Sequence, residues 1–520
     1  MEEQGHKTPE FTDPPQPFWL DSSSPTSYEE LTTDIKADIA IVGGGLVGIT
    51  TAYLLRQQGL KVVILEADRI LQGTTGHTTA KLTSQHDIIY SELVKNLGQE
   101  KAKQYADANE QTIKFVEDLI YKEKIQCDFS GQAAYIFTQS DDYLDKLQQE
   151  AEAASSLGLL ASLTHHCPLP FPVKAALRFD GQAQFHARKF ALGLVERISG
   201  EDCPIFENTR VVDVHEGVPC TLITEKGHKV QADNVVVATH FPFYGSNQFY
   251  FARLEPSRSY VLGITTRAEF PGGMYLSAET PTHSLRSTPF QAKNEKKDLI
   301  LIAGEEHRPG EGPDTNLHYR NLLDFARKHY PSVEVHYRWS TQDYTTLDKV
   351  PYVGLLNSGI SNIYVATGFR KWGMTNGITA ARIISDLIVR GENPWAEVYN
   401  PSRFEADPMI KNFVTTNFEV AKHLIGDKLS AVPDEGEPAA GEAKVVARNG
   451  EKIGLYKDRK GKIHAVDITC THMGCDLMWN AAELSWDCPC HGSRFTYEGE
   501  IIEGPALKSL RTHDNFKFNP

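Results

Sequence analysis

Residues 37–66 read ADIAIVGGGLVGITTAYLLRQQGLKVVILE, and the order of their parts decides the fold of most of the chain. Residues 37–42 are a short apolar run, the pattern of a strand buried on both faces of a parallel sheet. The run enters Gly43-Gly44-Gly45-Leu46-Val47-Gly48, a G-x-G-x-x-G turn. A helix is expected to follow to about Gln58 and to stop at Gly59, which suits a C-cap. Residues 60–65 then read as a second strand, ending on Glu66. In this pattern Gly43 makes the turn, Gly45 lets backbone approach a pyrophosphate, and Gly48 lets the helix pack closely on the strand. The helix N-terminus offers unpaired N–H groups and the positive end of its dipole to phosphate. Glu66 can accept hydrogen bonds from an adenosine ribose. Isolated glycine patterns often serve only as tight turns, but here strand, turn, helix, strand and acid stand in the order a dinucleotide site needs. The motif alone does not separate FAD from NAD.

Around this stretch, 520 residues leave room for two or more domains. A hydrophobic share of 40% with 23% charged residues fits ordinary globular protein. A net charge of -15 argues against a nucleic-acid partner, which needs a basic face, and provides no polybasic anchor for anionic lipid. The first thirty residues are polar and proline-rich, with Glu2 and Glu3 where a signal peptide would carry basic residues. The longest uncharged stretch, residues 39–55, is broken by Gly43, Gly44, Gly45 and Gly48, so it reads as strand, turn and helix rather than a membrane span. No transmembrane segment and a cytoplasmic location are therefore expected.

The clearest seam is SAVPDEGEPAAGE, residues 430–442, which is acidic and carries proline and glycine, as linkers do. A helix over 413–429 is expected to lead into it. Upstream, strands and helices alternate as in an α/β domain with an inserted part. Downstream, Asn449-Gly450 and Lys460-Gly461 signal hairpins of a small all-β domain. The expected division is 1–405, 406–442 and 443–520.

Eight cysteines fall into two groups. Cys127, Cys167, Cys203 and Cys220 are scattered, as free thiols are, whereas Cys470, Cys475, Cys488 and Cys490 cluster. With His472 and His491 they spell C-x-H, fifteen residues, C-x-x-H. Two thiolates and two imidazoles can hold two irons unequally, with Cys470 and Cys488 on one and His472 and His491 on the other, as in Rieske 2Fe-2S centres. The same donors could hold one tetrahedral zinc. Zinc pairs usually show C-x-x-C spacing, however, and zinc would leave two cysteines without a role.

Four stretches carry a family resemblance. Residues 38–67 resemble the N-terminus of the FAD-dependent D-amino-acid oxidase and glycine oxidase superfamily. DNVVVATHFP (233–242) is similar to its strand passing the flavin, and DKVPYVG (348–354) to the loop before its last flavin segment. IYVATGFRKWGMTNGITAARIISDLI (363–388) resembles the strand-turn-helix that closes over the isoalloxazine. The resemblance spans roughly residues 18–400 and implies FAD in a Rossmann-like, glutathione-reductase-type α/β domain, with an inserted β-rich substrate domain. It also implies amine or amino-acid substrates whose C–N carbon gives a hydride to flavin N5. Only one full fingerprint is present, which disfavours a nicotinamide donor.

By the same resemblance Thr367 and Gly368 stand at the flavin, and Tyr260, Tyr344, Arg370 and Lys371 lie near segments that approach it. Arg370 and Lys371 are the candidates for a substrate carboxylate or flavin N1, although any one of the four, taken singly, is more often structural. The loop GTTGHTTAK (73–81) is similar to that of the dimethylglycine and sarcosine dehydrogenase branch, whose histidine is bonded to flavin. His77 is then either an attachment point or a loop histidine hydrogen-bonded near the cofactor.

Residues 443–515 resemble a Rieske domain throughout, with Gly504-Pro505-Ala506 similar to its cluster-covering proline loop. Cys475 and Cys490 match the disulfide pair of cytochrome bc-type Rieske proteins; free thiols are the alternative in a cytosolic protein. Ser493 matches a serine that donates to a cluster sulfide, and Phe495 stands where those proteins have a tyrosine donating to a ligand sulfur. The expected function is a flavin dehydrogenase that passes electrons through its own Rieske cluster to an external acceptor. Two rivals are a redox sensor or carrier without turnover, and a Rieske monooxygenase. The latter needs a mononuclear iron held by two histidines and a carboxylate, and no convincing H-x-x-x-H plus acid set is present.

Overall fold

The uncharged second half of the Ile35–Val42 strand lies in the interior of a parallel sheet. It pairs with Val62–Leu65 on one side, Ile39 opposite Val62, and with Lys229–Val237 on the other, Ala40 opposite Val235. Ile363–Thr367 continues the sheet in parallel, Tyr352–Leu355 closes that end antiparallel, and Ile205–Phe206 lies beyond Val62–Leu65. The computed structural model describes residues 11, 13–244, 249–292, 295–312, 314–403, 420, 437–448, 451–513 and 516. The helix expected over 413–429, apart from residue 420, the linker up to residue 436 and the Asn449-Gly450 turn lie outside these residues.

Helices Leu46–Arg56 and Gly373–Arg390 pack together through a face that includes Val47 and Gly377. The first ends slightly before the expected stop, at Arg56, and Gly59 takes the left-handed conformation that lets the chain turn back (φ +80°). Gly43 and Gly48 are fixed by crowding. A Cβ on Gly43 would stand 2.4 Å from the Ala238 carbonyl oxygen, and one on Gly48 only 2.0 Å from that of Gly43.

The inserted part is a nine-stranded sheet among the described residues. Its edge strand, Glu334–Thr346, pairs antiparallel with Leu254–Thr265: Ser259 faces Thr341, Tyr260 faces Ser340 and Arg258 faces Gln342. Side chains alternate between the faces along both strands. This alternation places the two sites described below.

The C-terminal part is all-β, as expected. Ala443–Arg448, Glu451–Lys457 and Ile463–Asp467 form one antiparallel sheet. Met478–Asn480, Ser485–Asp487, Arg494–Thr496 and Ile501–Glu503 form the other. The turn at Lys460-Gly461 is present, with Gly461 at φ +88° and its N–H donating to Asp458 O at 3.0 Å. Among the described residues, no helix is long and apolar enough to cross a membrane.

Gly48→Ala forces the added methyl onto backbone that has nowhere to move. It is expected to cost about 1–3 kcal/mol, as core overpacking does, read as a lower thermal midpoint and weaker flavin retention on gel filtration. An unchanged midpoint with full flavin would show that the turn tolerates a side chain.

Candidate active site and cluster site

A cavity of about 640 Å³ opens over the glycine turn and runs to the inserted sheet. Gly43, Gly45, Leu46, Glu66 and Thr75 line its nucleotide end. Unlike its neighbours, Gly45 has free space: an added Cβ would meet only Thr75 Oγ1, at 3.5 Å, so the missing side chain leaves a cradle on the cavity side. Thr75 Oγ1 accepts from the Leu46 N–H at 3.0 Å at the start of the helix. Glu66 accepts from the N–H groups of Gly44 (2.7 Å) and Asp68 (3.0 Å), which fixes its carboxylate at the rim. Burial raises its pKa against these bonds. An open glycine before a helix N-terminus and an anchored acid fit the pyrophosphate and ribose of FAD.

The other residues expected at the flavin divide. Arg370 and Lys371 line the cavity, together with Phe369, Trp372 and Met374. Thr367 and Gly368 do not: the Thr367 hydroxyl donates to His240 O at 2.5 Å, and a Cβ on Gly368 (φ +77°) would strike Thr346. These two shape the turn, and the six residues after them reach the cavity. His77 ends the short Thr74–His77 helix, its ring Nδ1 hydrogen-bonded to Gly73 O at 2.9 Å. The cavity wall there is made by Thr74, Thr75, Thr78 and Thr79 instead.

Tyr260 and Tyr344 are corrections. Neither lines the cavity, because each is one residue out of step with those that do: Ser259 and Val261 on one strand, Thr341 and Asp343 on the other. Tyr260 points to the opposite face and stacks on His318 and His307 at centroid distances of 4.7 and 5.6 Å. Among the cavity residues that sequence reasoning missed are Ser259, Glu306, Asp343 and Lys81. Lys371 Nζ bonds to Ser259 Oγ and lies 3.3 Å from Glu306 and 3.9 Å from Asp343. Burial raises Asp343 to about 6, against the pull of Lys371. Period-two alternation from the neighbouring tyrosines was the one signal that pointed to Ser259 and Asp343.

Tyr344 belongs to the second site. Its hydroxyl donates toward Gly504 O (3.1 Å) and His491 O (3.3 Å), and accepts from Gln342 Nε2 (3.0 Å). Gln342 Nε2 also donates to Gly492 O at 2.7 Å. Arg308 holds the same loop through Pro489 O (2.8 Å) and Cys490 O (3.2 Å). The expected ligands thus sit on two loops, residues 470–475 and 488–493, each closed on itself by backbone bonds: Cys470 N–H to Cys475 O at 2.8 Å, and Cys488 N–H to Ser493 O at 2.8 Å. A Cys475–Cys490 disulfide ties the loops together.

The donor set fits a Rieske cluster. The sulfurs of Cys475, Cys488 and Cys490 lie within 4.8 Å of one another, but two are bonded together, so of these three Cys488 would be left to hold iron. The Cys470 and Cys488 thiols hydrogen-bond each other, which lowers Cys470 and raises Cys488. The His472 and His491 rings stand perpendicular with centroids 5.1 Å apart. Among the described residues His491 Nδ1 and Nε2 and His472 Nδ1 are buried without a partner, which is costly unless a metal takes the lone pair. Ser493 Oγ accepts from Ala506 N at 3.1 Å and bonds to the Cys470 sulfur, while Phe495 is fully buried in the core with both cysteines.

Residues 38–387 match the family described as FAD dependent oxidoreductase. The chain belongs to this family. Residues 429–514 match the Rieske [2Fe-2S] domain, so one chain carries FAD and a 2Fe-2S cluster. YhfW of Bacillus subtilis (strain 168), named as a Rieske 2Fe-2S iron-sulfur protein, is 40% identical over 96% of this chain and 98% of its own. Gamma-glutamylputrescine oxidoreductase of Escherichia coli (strain K12) is 24% identical over 70% of this chain and 86% of its own. Glycine oxidase from Geobacillus kaustophilus has the same fold over 71% of this chain and all of its own, with a TM-score of 0.58 at 17% identity.

Two outcomes are expected. Acid precipitation leaves the yellow colour in the supernatant, because threonines rather than His77 form the cavity wall; flavin retained on a peptide containing His77 would reverse this assignment. Phe495→Tyr adds a donor beside the ligand sulfurs and stabilises the reduced cluster. A hydrogen bond to charge is worth about 1.5–3 kcal/mol, of which ~1 kcal/mol distinguishes the redox states, on the order of 40 mV for one electron. A voltammetric midpoint that does not rise would place residue 495 away from those sulfurs.

Proposed function

We propose that this oxidoreductase dehydrogenates an amine or amino acid at the flavin and passes the electrons, one at a time, to its own Rieske cluster and then to an external acceptor. The observation that carries the reading is the shared strand pair. Ser259 and Asp343 face the flavin cavity, while Arg258, Gln342 and Tyr344 face the cluster loops. The cavity and the ligand loops are therefore separated by the thickness of one sheet. Rieske residues Glu503, Pro505 and Ala506 also line the cavity, so both parts contribute to its wall.

The substrate class is supported by the charges at the sheet end of the cavity. Lys371 is neutralised by Glu306 and Asp343. Among the described residues Arg370 Nη1 is buried with no partner, while Nη2 lies 3.9 Å from Asp87 and the guanidinium lies over the Trp372 ring at 4.7 Å. That donor can take a substrate carboxylate. FAD when bound accepts the hydride and the cluster carries single electrons onward. The amine and amino-acid chemistry in the names of the relatives fits this cavity.

The test is anaerobic mixing with a panel of amines and amino acids, following flavin bleaching and cluster reduction together. One compound is expected to bleach the flavin, with cluster reduction following. Tyr344→Leu should slow the second phase without slowing the first, and Arg370→Met should weaken binding of a carboxylate substrate by about 1.5–3 kcal/mol. A bleached flavin beside a cluster that stays oxidised would sink the proposed electron route.

A further inference from the structure

We infer that Lys81 is a catalytic residue, the base that takes the proton from the substrate's ammonium group before hydride leaves. The inference rests on the amine reading above and names the group that makes it work.

Lys81 begins the short Lys81–Leu82 strand directly after the flavin loop, and lines the cavity beside Leu276, Thr282 and Ser284. Its Nζ donates to Tyr275 O at 2.8 Å and Ser284 Oγ at 2.6 Å. Both acceptors are neutral. An ammonium carries three donors and no lone pair, whereas a neutral amine carries two donors and one lone pair. Two acceptors match the neutral form and leave its lone pair for the cavity. The contrast with Lys371 is direct, since that lysine holds both nearby acids, Glu306 and Asp343. The charged group next to Lys81 is Arg286 on the His283–Ala292 strand, whose Nη1 donates to Thr79 O and Ala80 O at 3.0 and 2.6 Å. Glu306, Asp343, Lys371, Arg370, His240 and Glu503 are among the charged and titratable groups that face the cavity from the other elements packed around it. Burial, and then the charge of Arg286, bring Lys81 down to about 7.

The step balances. The substrate ammonium gives one proton to Lys81 Nζ, so an N–H bond breaks and another forms, leaving a neutral amine and a lysine ammonium. The substrate Cα–H bond then breaks, hydride leaves with its electron pair to oxidised FAD, and the nitrogen lone pair closes the C=N bond of an iminium. The substrate loses two electrons and the flavin gains them.

An anion site for a substrate carboxylate is the competing role, and the variants separate the two. As a base, Lys81→Met and Lys81→Arg both lose flavin reduction by about 100-fold or more, with flavin and cluster spectra intact, and the wild-type rate rises with pH to a plateau above neutrality. Full reduction by Lys81→Arg, or a rate that falls as pH rises, overturns the inference. A second readout needs no substrate. Cyanate carbamylates neutral amines, and peptide mass spectrometry of the treated holoprotein should show Lys81 modified faster than the exposed Lys95 near neutrality. Slower modification at every pH overturns the base whatever the substrate proves to be. Fast modification in a protein whose flavin no amine bleaches overturns the amine reading, and with it the assigned proton donor.

Discussion

Everything in this chain turns on the pairing of Leu254–Thr265 with Glu334–Thr346 and on the period-two alternation of their side chains. Odd-numbered positions such as Ser259, Thr341 and Asp343 look into the cavity; even-numbered ones such as Arg258, Gln342 and Tyr344 look at the Rieske loops. A slip of one residue in either strand would exchange the two sets, putting Tyr344 into the cavity and Asp343 against the loop carbonyls. Register is thus tied to both cofactor sites at once. The Thr345–Phe369 bridge and the Arg370 N–H to Tyr344 O bond (3.0 Å) join this edge strand to the flavin turn.

The docking of the Rieske part on that edge is ionic as well as hydrogen-bonded. The Arg258 side chain is fully buried, 3.4 Å from Glu503 and 3.9 Å from Asp487. Arg494 lies 3.1 Å from Asp487 and 3.5 Å from Glu503, and His240 sits 3.6 Å from Glu503. Burial would raise both acids, but the guanidiniums, and for Glu503 the His240 bond, outweigh it, so both are held below their ordinary values. A depressed carboxylate contributes stability above its unfolded pKa and loses it as pH falls through the folded one. This docking therefore weakens in acid. Such a network adds little net stability over an apolar contact, yet removing one partner from a buried pair costs about 3–5 kcal/mol. That asymmetry favours a single docked arrangement, because any shift strands a buried charge.

The parts of the fold legible in the sequence are those set by contacts close along the chain. The Gly43–Gly48 turn is constrained largely by its own backbone, since a Cβ on Gly48 would strike Gly43 and one on Gly43 would strike Ala238 beside it. The C-x-H and C-x-x-H loops close on themselves within six residues, so their spacing already encodes their geometry. Tyr260 and Tyr344 were misplaced because alternation says that neighbours face apart without saying which face meets which site. That choice is made by the strand register and by a Rieske part more than a hundred residues downstream of Tyr344. His77 shows the same limit in a loop: its family resemblance marks the segment that meets the flavin, but a four-residue helix and the Gly73 bond turn the ring off the cavity wall. Lys81 had no signal of its own. A lysine after a run of threonines reads as surface, and only the inserted sheet, which brings Tyr275, Ser284 and Arg286 over it from about two hundred residues away, makes it a part-buried amine held by neutral acceptors.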